Sequence, residues 1–334
     1  MKIININKIF FLIIVILSII ISSCKKAEDV PTIVAINTIT DKLVADSASY
    51  KLLKQAVFKA GLNFKFKTTG AYTLFAPDDS AFLNIGITST IIKDSISLAG
   101  LAKLILYHTT SPKILAANIA IDSLTRQKTL DGDSFYVYKN VAGGVFVNGI
   151  IVKALNKEAD NGVIHKLSSI LRQPTGNIIL TAASVGLDSL VVAITRVNST
   201  TAALGGDSTF TATLNNRPLT VFAPTNAAFR ALLTSLSFTR ISQIPVLQLK
   251  TILRYHLVTN RVFTPQLKSD SLTMIAGLPN KTVVDIGANP ITIKGKNTNG
   301  LVVAGTTNNT CAITATNIVC HNGVVHVIDK VLLP

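Results

Sequence analysis

The chain has 334 residues, 48% of them apolar, with 32 Lys and Arg against 17 Asp and Glu, no tryptophan and a formal charge of +15. So many apolar and so few charged residues exclude a largely disordered protein, and the length suffices for two domains with a core each. The positive charge calls for an anionic counterpart or for a solvated basic surface; the Lys and Arg are scattered rather than clustered, which fits the second.

The first expected element is one the chain loses. Lys2 and Lys8 precede an apolar run from Ile9 to Ile21, the layout of a secretory leader and too short for a comfortable membrane span. Ile21-Ser22-Ser23-Cys24 resembles a bacterial lipoprotein box, which makes 1–23 the signal peptide and Cys24 the lipidated first residue; an ordinary cleaved signal with an incidental cysteine is the alternative. Lys25, not Asp, follows, which by resemblance to Gram-negative lipoproteins implies the outer membrane. Residues 24–32 read as a tether. Export and the lack of a recognisable reading motif argue against nucleic acid as the partner of the basic surface and favour anionic surfaces or acidic glycans.

A first module is expected over 33–173. Ile33 to Ile39 reads as loop or strand. Asp46-Ser47 as a cap, followed by Leu52, Leu53, Ala56 and Val57 at helical spacing, predicts an amphipathic helix ended by Gly61. Tyr72 to Ala76 reads as a strand stopped by Pro77, with Asp78 or Asp79 capping a helix that carries Ala81 and Phe82. Leu98 to His108 has helical spacing and ends in Tyr-His. From Thr129 to Val152 short apolar runs alternate with Asp131-Gly132-Asp133, Gly143-Gly144 and Asn148-Gly149, a series of strands and turns. Asn161-Gly162-Val163-Ile164-His165-Lys166-Leu167 then reads as a tight turn, both turn residues tolerating positive φ, feeding the closing strand.

The same landmarks recur in a second module over 174–334. Val221 to Phe229 repeats Leu74 to Phe82, with Thr225 or Asn226 as the cap; Arg254-Tyr255-His256 repeats Leu106-Tyr107-His108; Asn322-Gly323-Val324-Val325-His326-Val327 repeats the closing strand. Two stretches depart. Thr195 to Asn216, rich in Thr, Ser, Gly and Asn, shows no core pattern, and a polar stretch between Ile291 and His321 contains Cys311 and Cys320. Both read as decorated loops.

In that order, and twice over, the strand-Ala-Pro-helix block, the Tyr-His block and the Asn-Gly-Val-Ile/Val-His strand resemble the fasciclin (FAS1) domain, across Val34 to Leu171 and Ile178 to Leu333. The resemblance implies an α+β fold, a small β-sheet wedge packed with several helices in each of two tandem domains, and cell-surface or matrix adhesion without catalysis or cofactor. In some animal members the Tyr-His block is linked to integrin binding, which carries candidate binding roles onto Tyr107, His108, Tyr255 and His256. Their apolar neighbours, Leu104 to Leu106 and Ile252, Leu253 and Leu257, argue instead for buried, backbone-bonded side chains.

Other chemistry is sparse. No Gly-x-Ser-x-Gly or His-Glu-x-x-His pattern occurs, His108 pairs with His256 and His165 with His326 across the repeat, and only His321 is unmatched. Cys311 and Cys320 are expected to form a disulfide in an oxidising compartment, since their spacing, even with His321 and His326 nearby, is not that of a zinc module. Recurrent Asp-Ser pairs, Asp79-Ser80 and Asp188-Ser189 among them, resemble an O-glycosylation acceptor but also serve as ordinary caps and turns. The sequence therefore reads as a cell-envelope lipoprotein of the outer membrane that binds an envelope or extracellular protein or an acidic polysaccharide. The alternative is a substrate-capture or glycan-processing lipoprotein of a nutrient-uptake system.

Overall fold

The computed structural model describes residues 37–267, 271–273, 281–285, 292–294 and 310–333; the expected leader and tether, with Cys24, lie outside the described residues. No helix among the described residues is long and apolar enough to cross a membrane.

The first module opens on α1 (Ile39–Ala45), which follows the stretch Ile33 to Ile39 read as loop or strand; of that stretch, 33–36 lie outside the described residues. Thr38 and Asp41 form a capping box, each side chain bonding the other's backbone N–H, and this closes the helix start. Next comes α2 (Ser47–Lys59). Asp46 precedes it, its carboxylate held by Lys157 Nζ at 2.6 Å. Strand β1 (Tyr72–Pro77) leads into α3 (Asp79–Leu83), capped by Asp78 through the Ala81 N–H at 2.9 Å. Then follow α4 (Leu98–Tyr107), β2 (Thr109–Thr110), β3 (Leu124–Lys128), β4 (Ser134–Lys139), β5 (Val145–Val147), β6 (Ile150–Ala159) and β7 (Gly162–Leu167). They form one sheet in the order β2-β1-β7-β6-β5-β4-β3, with β1 and β7 parallel and the other pairs antiparallel.

The second module rebuilds this plan. Helices α5 (Ile178–Ser184), α6 (Asp188–Ser199) and α7 (Phe210–Asn215) precede β8 (Leu219–Pro224), then α8 (Asn226–Ser235), α9 (Val246–Arg254) and β9 (Leu257–Thr259). The sheet is completed by β10 (Ser271–Thr273), β11 (Lys281–Asp285), β12 (Thr292–Lys294), β13 (Thr310–Cys320) and β14 (Gly323–Ile328), in the order β10-β11-β12-β13-β14-β8-β9. Read from the other end this is the first sheet, down to the parallel register: Tyr72 faces Gly162 as Leu219 faces Gly323.

A strand sends alternate side chains to opposite faces, and a parallel strand pair covered on both faces can be apolar throughout. In β1, Leu74 and Ala76 enter the core under the helices, while Phe75 enters a second core with Tyr107, Phe135 and Leu167. In β8, Val221 and Ala223 take the helical side, and Phe222 joins Tyr255, Ile328 and Leu332. Each module thus has two cores divided by its own sheet.

Three expectations fail. The stretch Thr195–Asn216 is not a bare loop: α6 runs to Ser199, and α7 buries Phe210 and Leu214 to 1% exposure. The polar run between Ile291 and His321 is not all loop either: 295–309 lie outside the described residues, and its described parts are β12 and β13, the latter a strand with two register shifts. That strand also overturns the disulfide. Cys311 and Cys320 are nine positions apart on it, so at about 3.3 Å per residue their Cα atoms are on the order of 30 Å apart, against the roughly 7 Å a disulfide allows. Both thiols are free and buried, Cys311 in the Phe222 core and Cys320 in the helical one.

The reason for Asn161-Gly162 also differs from the expected one. Neither residue adopts positive φ. A Cβ on Gly162 would lie 2.2 Å from the Tyr72 carbonyl oxygen, and one on Gly323 2.3 Å from that of Leu219, so glycine is required by the close parallel strand. Asn161 is a buried staple: its Oδ1 accepts the Ile39 N–H at 2.9 Å, and its Nδ2 donates to Phe66 O and Thr68 O at 2.8 and 2.9 Å. Asn322 does the same to Ile178 and Leu214.

Candidate functional site

Helix α4 ends in the first Tyr-His pair, and because its inner face is apolar the pair is carried inward. Tyr107, His108 and Tyr255 are fully buried and His256 is 1% exposed. His108 Nδ1 donates to Leu104 O at 2.8 Å, and its Nε2 accepts the Leu171 N–H at 2.9 Å; His256 repeats this with Ile252 O at 2.7 Å and the Leu332 N–H at 2.9 Å. The Tyr107 hydroxyl donates to Ser134 O at 3.3 Å and accepts from Asn148 Nδ2 at 3.1 Å. The two histidines latch each module's tail to its helix end, and with all four residues buried none offers a surface to a partner. That corrects their candidacy as binding residues.

The second histidine pair lies on the closing strands with the opposite tautomer. His165 Nε2 donates to Ile114 O at 2.8 Å while Nδ1 accepts the Asn156 N–H at 3.2 Å; in His326 the partners are Val262 O at 2.9 Å and the Asn317 N–H at 3.3 Å. Each ring stacks on a phenylalanine of the neighbouring parallel strand, Phe75 and Phe222, with centroids 5.1 and 5.5 Å apart. Burial drives all four histidines below their ordinary range, those at 108, 256 and 326 to about 4, although the bond to a backbone carbonyl opposes it. They are neutral rings engaged at both nitrogens, unsuited to proton transfer near neutral pH. Burial likewise pushes the Cys311 thiol up to about 12 and that of Cys320 up to about 11, away from nucleophilic reactivity. Among the described residues no three His, Cys, Asp or Glu gather as a metal ion needs.

What remains open is the joint between the modules. Tyr136 and Leu124 pack with Phe263, Val319 and Val324. The Arg261 guanidinium lies 4.6 Å from the centre of the Tyr136 ring and donates to His321 O at 2.6 Å, while His321 Nε2 is 3.3 Å from Asp133. The Asn148-Gly149 turn, with Gly149 at φ +79°, meets Asn317 so closely that a Cβ on Gly149 would stand 2.3 Å from its side chain. Asn317, itself at φ +58° in the β13 bulge, is fixed by the Thr264 N–H and hydroxyl at 2.9 and 2.7 Å.

Beside this contact lies a cleft of about 580 Å³, bounded by Ile150, Ser169 and Arg172 of the first module and by Thr175, Thr316 and Val319. A more open depression of about 510 Å³ shares Ile150, Ser169 and Thr316 with it and continues past Phe146 and Pro265. None of the Tyr-His residues lines either one. Sequence reading missed the cleft because its residues come from the turn into β6, the linker after β7, helix α5 with the residue after it, and the β13 bulge, places far apart in the chain that only docking brings together. The available signal was Thr316-Asn317, polar residues where the first module has Leu155-Asn156.

The fasciclin domain family matches this chain twice, at residues 48–174 and 197–334. The transforming growth factor-beta-induced protein ig-h3 of Sus scrofa is 33% identical over 140 residues, which are 41% of this chain and 19% of that protein; the chain thus spans about a fifth of this relative. Uncharacterized protein sll1735 of Synechocystis is 30% identical over 132 residues, 39% of this chain and 94% of its own length. The solved FAS1 domain pair of the insect cell adhesion molecule fasciclin I aligns with 88% of this chain and 96% of its own, at 15% identity and a TM-score of 0.37. With two matches that together take in well over half its length, the chain belongs to the fasciclin domain family, as a tandem pair of FAS1 domains.

Proposed function

We propose that this chain is an envelope-anchored binding protein that holds a surface protein or polysaccharide without turning it over. Fasciclin domains serve in general as adhesion and binding modules of extracellular or cell-surface proteins, and the double match over most of the chain is the observation that carries the reading. The buried histidines are consistent with it, because each already bonds backbone at both ring nitrogens. The anchor is the lipid on Cys24, following the Ile21-Ser22-Ser23-Cys24 box, and the address is the outer membrane. The cleft at the joint favours a second reading, substrate capture for glycan uptake.

The test is retention of envelope proteins and purified polysaccharides on the immobilised full chain. Saturable retention of one of them, returned unmodified, is the expected result; release of shortened glycan would replace binding by catalysis, and no retention above a charge-matched control protein would remove the proposal. For the anchor, Cys24→Ala should move the protein from the membrane fraction to the soluble one, and intact wild-type protein with no added acyl mass would refute it.

A further inference from the structure

We propose that the groove across the joint between the two modules binds a short stretch of an acidic polysaccharide, with a uronic acid carboxylate on Arg172. The inference rests on the reading of the chain as a binding protein and gives that reading a site and a ligand class.

Size comes first. The cleft of about 580 Å³ lies within the roughly 300–1,000 Å³ of small-molecule sites. Its continuation into the depression of about 510 Å³ makes an elongated groove, which suits a linear chain of sugar rings better than one compact molecule.

The lining decides the chemistry. Ile150, Ile170 and Val319 supply apolar surface, while Ser169, Thr175 and Thr316 supply hydroxyls. A pyranose ring presents the same alternation, an apolar C–H face and an edge of hydroxyls that both donate and accept, as Ser and Thr hydroxyls do. The hydroxyls of Ser169 and Thr316 and the guanidinium of Arg172 engage no other described group, so their bonding capacity is open to a ligand, whereas Asn148 is occupied by Tyr136 and Tyr107 and Asn317 by Thr264, each within its own module. At the open end Phe146 and Pro265 add flat apolar surfaces on which a further ring can lie.

Charge sets the sign. Among the described residues lining either cavity Arg172 is the one that is charged, and none of them is a carboxylate. Asp131 is bonded by Gln173 and Thr129 and Asp133 faces His321, and among the described residues neither forms an ion pair with Arg172. A planar guanidinium with its donors free takes a carboxylate through two parallel bonds. The wider protein, with its excess of Lys and Arg over Asp and Glu, draws polyanions toward it.

The experiment is calorimetric titration of the full chain in detergent with trigalacturonate, with cellotriose as the neutral probe and a tripeptide of aspartate as the charge-matched competitor. Trigalacturonate should bind, cellotriose should bind at least tenfold more weakly, and Arg172→Gln should remove that preference with an unchanged Tm, since Arg172 is exposed. Ser169→Trp should block both sugars. If that variant melts early, Arg172→Gln alone decides. Equal binding by the aspartate peptide, binding that survives Arg172→Gln and Ser169→Trp undiminished, or no binding by wild type overturns the proposal. Retention of an envelope component by both variants, with no glycan affinity, would sink this site while leaving the binding function intact.

Discussion

Acid should unfold this protein through its histidines. In the unfolded chain an imidazole titrates near its ordinary 6.5; in the folded chain burial holds His108, His256 and His326 at about 4, with His165 shifted the same way. A folded-state value below the unfolded one means that the unfolded chain binds more protons throughout that window. Stability is therefore complete above about pH 6.5 and declines as pH falls toward 4. Between about pH 7.5 and pH 5 each such histidine removes on the order of 2 kcal/mol, hence about 4 kcal/mol from the second module through His256 and His326. Against a typical domain stability of about 5–15 kcal/mol this is a large fraction, and it corresponds to a fall in Tm of roughly 10 °C. The carboxylates whose bonds hold them low, Asp46, Asp78 and Asp207, are ionised in both states over this range and leave the slope unchanged. Thermal melts by circular dichroism across these pH values measure the effect. A parallel series on His256→Gln, which retains a polar ring substitute but cannot be protonated, should show a lower Tm and a shallower slope. A Tm that stays flat down to pH 5, or a slope the same in His256→Gln as in wild type, would refute the reasoning and leave general positive-charge repulsion as the cause.

Asn161→Ala removes a buried side chain that meets three backbone groups and should lower stability by about 2–4 kcal/mol, read as a shift in denaturant midpoint at constant m. Cys311 and Cys320 should resist a thiol reagent in the native state and label together on unfolding, with a Tm indifferent to reductant; a reductant-sensitive Tm would restore the disulfide. A chain ended at Gln173 keeps Leu171 on His108 and should melt cooperatively by itself; a broad, non-cooperative melt would mean that the first module depends on its neighbour. Gly149→Val introduces a branched side chain at φ +79° against Asn317, and should loosen the joint, seen as a larger radius of gyration by small-angle scattering with both modules folded.

The sequence showed its plan where a residue's neighbours are local. Ala76-Pro77-Asp78 and Ala223-Pro224-Thr225 announce strand end and helix cap within a few positions, and the duplication doubles the signal. It was opaque where tertiary packing decides. Helix α7 is built from Thr, Asn and Ala with only Phe210 and Leu214 turned inward, too few apolar positions to show a period. Strand β13 carries Thr314, Thr316 and Asn317 through a bulge, so its alternation breaks in the middle and reads as loop. The expected disulfide rests on the oxidising compartment and on a spacing unlike that of zinc modules, which say nothing about distance; two residues nine positions apart on one extended strand cannot meet. The groove at the joint was illegible for a further reason: no single segment contains it.

The tail latch has a consequence for the nascent chain. His108 waits 63 residues for the Leu171 N–H, His256 waits 76 for that of Leu332, and the Asn staples reach back 122 and 144 positions to Ile39 and Ile178. Strand β1 likewise stays without its parallel neighbour β7 until nearly the whole module has been made. Folding with so many distant contacts is slow and all-or-none, so a module emerging N-terminus first cannot close co-translationally until its last dozen residues are free. Until then β1 and β6 lack the strand that joins them and the apolar segments are bare, a state that a chaperone or an export channel can hold open. Loss of only the residues from Leu332 onward would leave His256 Nε2 without its donor and return the second module to that unfinished condition.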